Sequence, residues 1–174
     1  MRNIKTHITE LQCFISEISN KIHIVALSES WLSQHLDLKY IFLNNYQITN
    51  TVNNQKKNDG VINFIRNDCS FSNKEIRFTD ANCLITNITS DNSTYCVISV
   101  YRSSNGNANI FLEQFQDISY NITTENKNIN IIFCGDINID LLNNNRLANN
   151  YLYLMTSYGF ISYVNTPTRV WEGS

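Results

Sequence analysis

Two short apolar runs, each closed by an acidic residue, constrain this chain more than any other feature. Residues 22–27 read Ile22-His23-Ile24-Val25-Ala26-Leu27 and lead through Ser28 to Glu29. Residues 129–134 read Ile129-Asn130-Ile131-Ile132-Phe133-Cys134 and lead through Gly135 to Asp136. Runs of this length and β-branching suit strands buried on both faces. A membrane span needs about 18 or more apolar residues, and no run in the chain is that long. The two runs are expected to be neighbouring strands, with Glu29 and Asp136 emerging together from a sheet edge where a ligand can reach them.

The segments between them supply the other layers. Apolar residues at Ile4, Ile8, Leu11, Ile15, Ile18 and Ile22 alternate steps of four and three, the stripe of an amphipathic helix. Residues 44–59 are rich in Asn, Gln and Lys and close with Asp59-Gly60, a loop and turn signal. Residues 61–65, 83–89 and 95–101 read as strands, with a hairpin turn at Asp91-Asn92-Ser93 between the last two. Phe111, Phe115, Ile118 and Ile122 mark a second helix. A third is expected over residues 143–158, with Leu147, Tyr151, Leu152 and Met155 inward and Gly159 as its C-cap. Residues 160–164 read as a last strand. Hairpins without strict alternation of strand and helix predict an α+β layered domain rather than a doubly wound parallel sheet.

The chain has 174 residues, a length that suits one domain. Its 43% apolar and 16% charged residues provide a core and exclude a disordered chain. A net charge of -2 excludes a sequence-independent DNA coat, which releases counterions through many Lys and Arg. The five cysteines (13, 69, 83, 96 and 134) show no Cys-x-x-Cys pair and no metal spacing, which fits reduced thiols. No secretory apolar region follows Met1, so a soluble nuclear or cytoplasmic protein is expected rather than a secreted one. Among 28 Asn and 23 Ile residues, three Asn-x-Thr sequons are expected by chance and imply no glycosylation.

Glu29, Asp136 and the amide oxygen of Asn138 are hard oxygen donors, suited to Mg²⁺ or Mn²⁺ rather than zinc. Gly135 would allow the sharp exit that turns Asp136 back toward a site. On spacing alone, solvated strand caps are the alternative for both carboxylates. Tyr101, beside Arg102 at a strand end, could contact a phosphate or be a rim aromatic. His7, His23 and His35 form no ligand pattern.

The order of these pieces carries a resemblance. Ile24-Val25-Ala26-Leu27-Ser28-Glu29-Ser30-Trp31-Leu32 resembles the ALTETWL segment of the endonuclease/exonuclease/phosphatase family. More narrowly, it resembles the apurinic-type endonuclease domain of non-LTR (LINE-like) retrotransposons. Asp59-Gly60-Val61-Ile62-Asn63-Phe64-Ile65-Arg66 resembles that family's GGVAIYIR strand, with Asp in place of the first Gly. Val100-Tyr101-Arg102-Ser103-Ser104-Asn105 resembles its VYRPP turn, with Ser in place of Pro. Residues 133–142, Phe-Cys-Gly-Asp-Ile-Asn-Ile-Asp-Leu-Leu, resemble its GDFNIDLL signature, and Tyr158-Gly159-Phe160 through Thr166-Pro167-Thr168-Arg169 its GL…PTR stretch.

The resemblance spans nearly the whole chain and implies a DNase I-like four-layer α/β sandwich, two mixed sheets with helices outside. It implies a Mg²⁺-dependent (or Mn²⁺-dependent) phosphodiesterase that nicks target-site DNA, with a reverse transcriptase domain in the full-length parent. Glu29 would hold the metal and Asp136 would orient the attacking water or protonate the leaving oxygen. Asn138 and Tyr101 would bind phosphate oxygens. The family's first strand, with its metal-site Asn, would fall before Met1, and its IDH and SDH segments, with the general-base His, after Ser174. The fold is therefore expected to be incomplete in residues 1–174, and a catalytically dead remnant or interaction module is the alternative. A phosphoinositide, sphingomyelin or RNA-tail substrate is disfavoured by the Pro167-Thr168-Arg169 stretch.

Overall fold

The computed structural model describes residues 4–18, 22–31, 38–52, 54, 56, 59–90, 93–125 and 129–168. The chain forms two compact units: Met1–Gly106 with Asn128–Ile137, and Asn107–Lys127 with Asn138–Ser174.

In the first unit the amphipathic stripe forms helix α1 (Ile4–Glu17). It lays Ile4, Ile8, Leu11 and Ile15 against one face of an antiparallel sheet. That sheet consists of β1 (Ile24–Ser28), β2 (Tyr46–Asn50) and β3 (Val61–Arg66) in the order β1-β3-β2. Strand alternation divides β3 between two cores. Ile62 and Phe64 join Val25, Leu27 and Ile48 under α1. On the other side Ile65 clusters with Ile88, Val97 and Cys134, and Val61 with Leu84 and Tyr101. Each large apolar side chain so enclosed contributes roughly 1.5–3 kcal/mol.

The second sheet holds β4 (Ser70–Arg77), β5 (Ala81–Ser90), β6 (Ser93–Arg102) and β7 (Asn130–Asp136) in that order. The pairs β4–β5 and β5–β6 are antiparallel, and β6–β7 is parallel. A polar network crosses between the sheets. Asn63 donates to the Thr86 hydroxyl (3.0 Å) and accepts from the Ser99 hydroxyl (3.0 Å), which also meets Cys134 Sγ at 3.6 Å. The cysteines are free thiols. Burial pushes Cys83 up to about 12 and Cys96 up to about 11, so both are held protonated and unreactive.

The second unit carries α2 (Ala108–Glu125) and α3 (Arg146–Ser157). Phe111 stacks on Phe115 (centroids 5.2 Å apart), and Phe115 on Tyr151 (5.9 Å). Asn145 caps α3 by accepting the Ala148 N–H at 2.9 Å, and Gly159 ends it at φ +81°. Tyr151 and Met155 are buried as expected, with Ala148 beside them, while Leu147 and Leu152 are half-buried.

Several expectations are corrected. The runs at 22–27 and 129–134 do form strands, but β1 and β7 lie in different sheets, each at an edge. They meet only across the sandwich, where Ile24 and Cys134 share a cluster. Neither is buried on both faces: β1 is half-buried throughout and Ile132 of β7 is exposed. The chain is not broken at Gly135, because β7 continues through it to Asp136. The stretch read as a loop at 44–59 contains β2, and β4 was not expected. Both are edge strands, where polar side chains are tolerated and the apolar signal is weak. The hairpin between β5 and β6 pairs as expected, but residues 91 and 92 lie outside the described ones. Residues 160–164 form no strand: the Phe160 N–H donates to the Met155 carbonyl at the end of α3 (3.0 Å), and Ile161 (79%) and Tyr163 (90%) stand exposed.

Gly135 (φ +127°) is expected to be intolerant, because a Cβ there would overlap the Val100 carbonyl oxygen and stand 2.8 Å from its carbon. Gly135→Ala should lower unfolding stability by roughly 3 kcal/mol or more. Gly159→Ala, where the same Cβ meets nothing within 4 Å, should cost only about 1–2 kcal/mol. Urea midpoints at constant slope measure both.

Candidate active site

The end of β1 is built by its neighbours. Past Ser28 the chain enters a left-handed conformation at Glu29 (φ +53°) and again at Trp31 (φ +56°). For residues with a Cβ this costs about 1–2 kcal/mol each, so something must hold it. The Ser30 N–H donates to the Gly60 carbonyl (3.2 Å) and the Trp31 N–H to the Asp59 carbonyl (3.2 Å), tying the loop to the start of β3. Gly60 (φ +108°) is needed there, because a Cβ would stand 2.6 Å from Ser30 Oγ. Its N–H donates to Asn82 Oδ1 (3.2 Å), whose amide in turn donates to Asn54 Oδ1 (3.2 Å). Glu29 is thus held at a fixed point by backbone and amide contacts.

From the other sheet, the Tyr101 hydroxyl donates to Glu29 Oε1 at 3.1 Å. Tyr101 is paired in register with Asp136 on β7. Its phenol is held well above its ordinary value near 10, first by burial, then by the Glu29 charge and hydrogen bond, then by the charges of Asp59 and Asp136. Three carboxylates therefore act on one phenol. Tyr101 is only 2% exposed, so it is not a rim aromatic; packing against Val61 and Leu84 buries it.

Glu29, Tyr101 and Asp136 are thus brought to one end of the first unit. Asn138 begins the second unit, two residues past Asp136, at φ +49°. Asp59, which the sequence does not single out as a site residue, also acts on Tyr101 through its charge. It is 5% exposed, its Oδ2 accepts the Lys56 N–H at 3.0 Å, and Lys56 Nζ reaches Ser103 Oγ at 3.1 Å. The signal for it was the acid standing where the resembling strand has Gly. A cavity of about 280 Å³, lined in part by His23, Ile24, Ser90 and Ser93, lies at the opposite end of the strands from Glu29 and is separate from this site.

Among the described residues no three His, Cys, Asp or Glu side chains are grouped to chelate a cation. A three-residue zinc-type cage is therefore not formed among them. One carboxylate with bound waters fits the way proteins hold Mg²⁺, so Glu29 and its surroundings are compatible with such an ion.

No protein-family model and no curated protein matches the sequence. Solved structures do match. The endonuclease domain of TRAS1, a telomere-specific non-LTR retrotransposon, aligns with a TM-score of 0.61 at 11% identity, over 91% of this chain and 68% of that one. D. rerio TDP2 complexed with single strand DNA product aligns at 0.60 and 16% identity, over 92% of this chain and 60% of that one. The human Nocturnin catalytic domain with bound sulfate aligns at 0.58 and 16% identity, over 86% and 65%. For a humanized D. rerio TDP2 the chain spans 57% of the length, and for C. elegans TDP2 46%, so it covers about half of these structures. Similarity at such low identity establishes the fold, which is α+β and DNase I-like.

The alkaline limb of stability should report the buried phenol. A folded-state pKa raised above the unfolded value contributes stability that is complete below pH 10 and is lost as pH rises beyond it. Tyr46 and Tyr151 (the latter pushed up to about 12) share this behaviour, so Tyr101→Phe should reduce the alkaline slope without abolishing it. Urea unfolding between pH 9 and 11, followed with tyrosine absorbance at 295 nm, measures the change.

Proposed function

We propose that residues 1–174 are a domain of the endonuclease/exonuclease/phosphatase type, a divalent-metal-dependent phosphodiesterase resembling the DNA-nicking endonuclease of a non-LTR retrotransposon. The observation that carries this reading is the Tyr101–Glu29 hydrogen bond at the strand ends, with Asp136 in register beside Tyr101. The fold shared with TRAS1 and TDP2 supports it. On this reading DNA is the substrate, a reverse transcriptase domain accompanies the site in the parent protein, and the protein works in the nucleus or cytoplasm. No helix among the described residues is long and apolar enough to cross a membrane.

Glu29 would hold Mg²⁺ or Mn²⁺, which when bound supplies Lewis-acid neutralisation of the scissile phosphate. Asp136 orients the attacking water or gives a proton to the 3′-oxygen as it leaves. Tyr101, kept protonated by its surroundings, can turn its hydroxyl proton from Glu29 to a phosphate oxygen, and Asn138 donates an amide proton to another.

The described histidines are His7 and His23. His7 pairs with Glu10 at 2.8 Å on an exposed face of α1. His23 precedes β1 and is about six strand residues, roughly 20 Å, from Glu29. His35 lies outside the described residues. The second, alternative reading is a catalytically dead module of the same fold.

If the general base lies in the SDH segment that the resemblance implies, residues 1–174 alone should nick supercoiled plasmid slowly or not at all in Mg²⁺, since general-base catalysis alone contributes roughly 10²–10⁴-fold. A longer chain carrying an SDH-type tail should gain Mg²⁺-dependent nicking. There, Glu29→Ala or Asp136→Ala should lower the rate by roughly 10²-fold or more with the circular dichroism unchanged. Robust EDTA-sensitive nicking by residues 1–174 alone would contradict a base placed in the SDH segment, and a folded but silent longer chain would favour the second reading.

A further inference from the structure

The residue after Tyr101 has its own task. Arg102 is 3% exposed, and a buried guanidinium is costly unless its donors and charge are met. They are met here by backbone. Nε donates to the Ile137 carbonyl at 2.6 Å, and Nη1 to the Gly106 carbonyl at 2.9 Å and the Ser103 carbonyl at 3.3 Å. Asp136 and Asp80 act on it as counter-charges against the burial. The fork thus joins the 103–106 turn to the residue that follows Asp136.

This junction lies where the β6–β7 ladder ends. Among the described residues β7 is at a sheet edge with β6 as its ladder partner, and the paired register ends at Tyr101↔Asp136. On one side of Asp136, Gly135 is pressed against the Val100 carbonyl. On the other side, the first contact past the ladder is the Arg102–Ile137 bond. We infer that Arg102 is a positioning residue, whose guanidinium fixes the backbone on the far side of Asp136 and thereby aims its carboxylate at the site of Tyr101 and Glu29. The inference rests on the reading of that site proposed above. Lysine cannot reproduce it, because one ammonium has no planar fork to reach the Ile137 and Gly106 carbonyls together.

The test compares the 174-residue protein with Arg102→Lys, which keeps the charge and most of the stem, and Arg102→Met. Backbone ¹⁵N relaxation should give order parameters near about 0.85 for Val100, Tyr101, Asp136 and Ile137 in the parent. In Arg102→Lys those of Asp136 and Ile137 should fall toward about 0.6, with Val100 and Tyr101 unchanged. Added Mn²⁺ should broaden the Tyr101 amide equally in both proteins and the Asp136 amide at least twofold less in the variant. An Asp136 as ordered and as broadened in Arg102→Lys as in the parent would overturn the inference. So would loss of order along all of β6 and β7, which marks a purely structural core residue. Should Arg102→Met fail to fold, Arg102→Lys decides alone. Should Mn²⁺ broaden neither amide in the parent, the metal reading fails, and relaxation without metal still decides the role of Arg102.

Discussion

Between β6 and β7 the two backbones run so close at Val100 and Gly135 that no side chain fits between them. That approach requires glycine, and it locks the parallel register one residue later, where Tyr101 stands beside Asp136. A slip of one residue would put Val100 or Arg102 opposite Asp136 and send the neighbouring side chains to the other face. The phenol that meets Glu29 and the carboxylate that flanks it are therefore both consequences of one steric contact.

Glu29 reaches the same place from the other sheet, so the site also depends on how the sheets face each other. Val61, Leu84 and Tyr101 supply the apolar contact nearest the site. The Asn63–Thr86–Ser99 bonds behind it are directional, and each buried partner left alone would cost about 1–3 kcal/mol. A sliding motion of one sheet on the other would break them together. Nonspecific apolar packing could not set the 3.1 Å contact between Tyr101 and Glu29 so narrowly.

What could be read from the residues, and what could not, follows from where each signal resides. The helix stripes and the central strands β3, β5 and β6 were legible because burial on a face leaves a periodicity. Glu29 and Asp136 stand out as candidates because each closes an apolar run. The edge strands β2 and β4 were missed, since half their surroundings are water and polar residues such as Gln47, Asn73 and Lys74 suit them. Tyr101 looked like a rim residue because its burial comes from Val61 and Leu84, which are distant in sequence. The assignment of β1 and β7 to separate sheets was equally invisible, because two apolar runs carry no mark of which strand each pairs with. Asp59 could be seen only as an acid in a glycine's position, and the fork of Arg102 not at all, since its acceptors are backbone carbonyls.

The central claim is that Glu29, Tyr101 and Asp136 frame one cation-assisted phosphate site. Anomalous diffraction from crystals grown with Mn²⁺ tests it most directly. The account predicts a peak at the Glu29 carboxylate, with Tyr101 and Asp136 bordering the same pocket. Manganese bound elsewhere with Glu29 bare, or Glu29 and Asp136 facing away from each other, would contradict it.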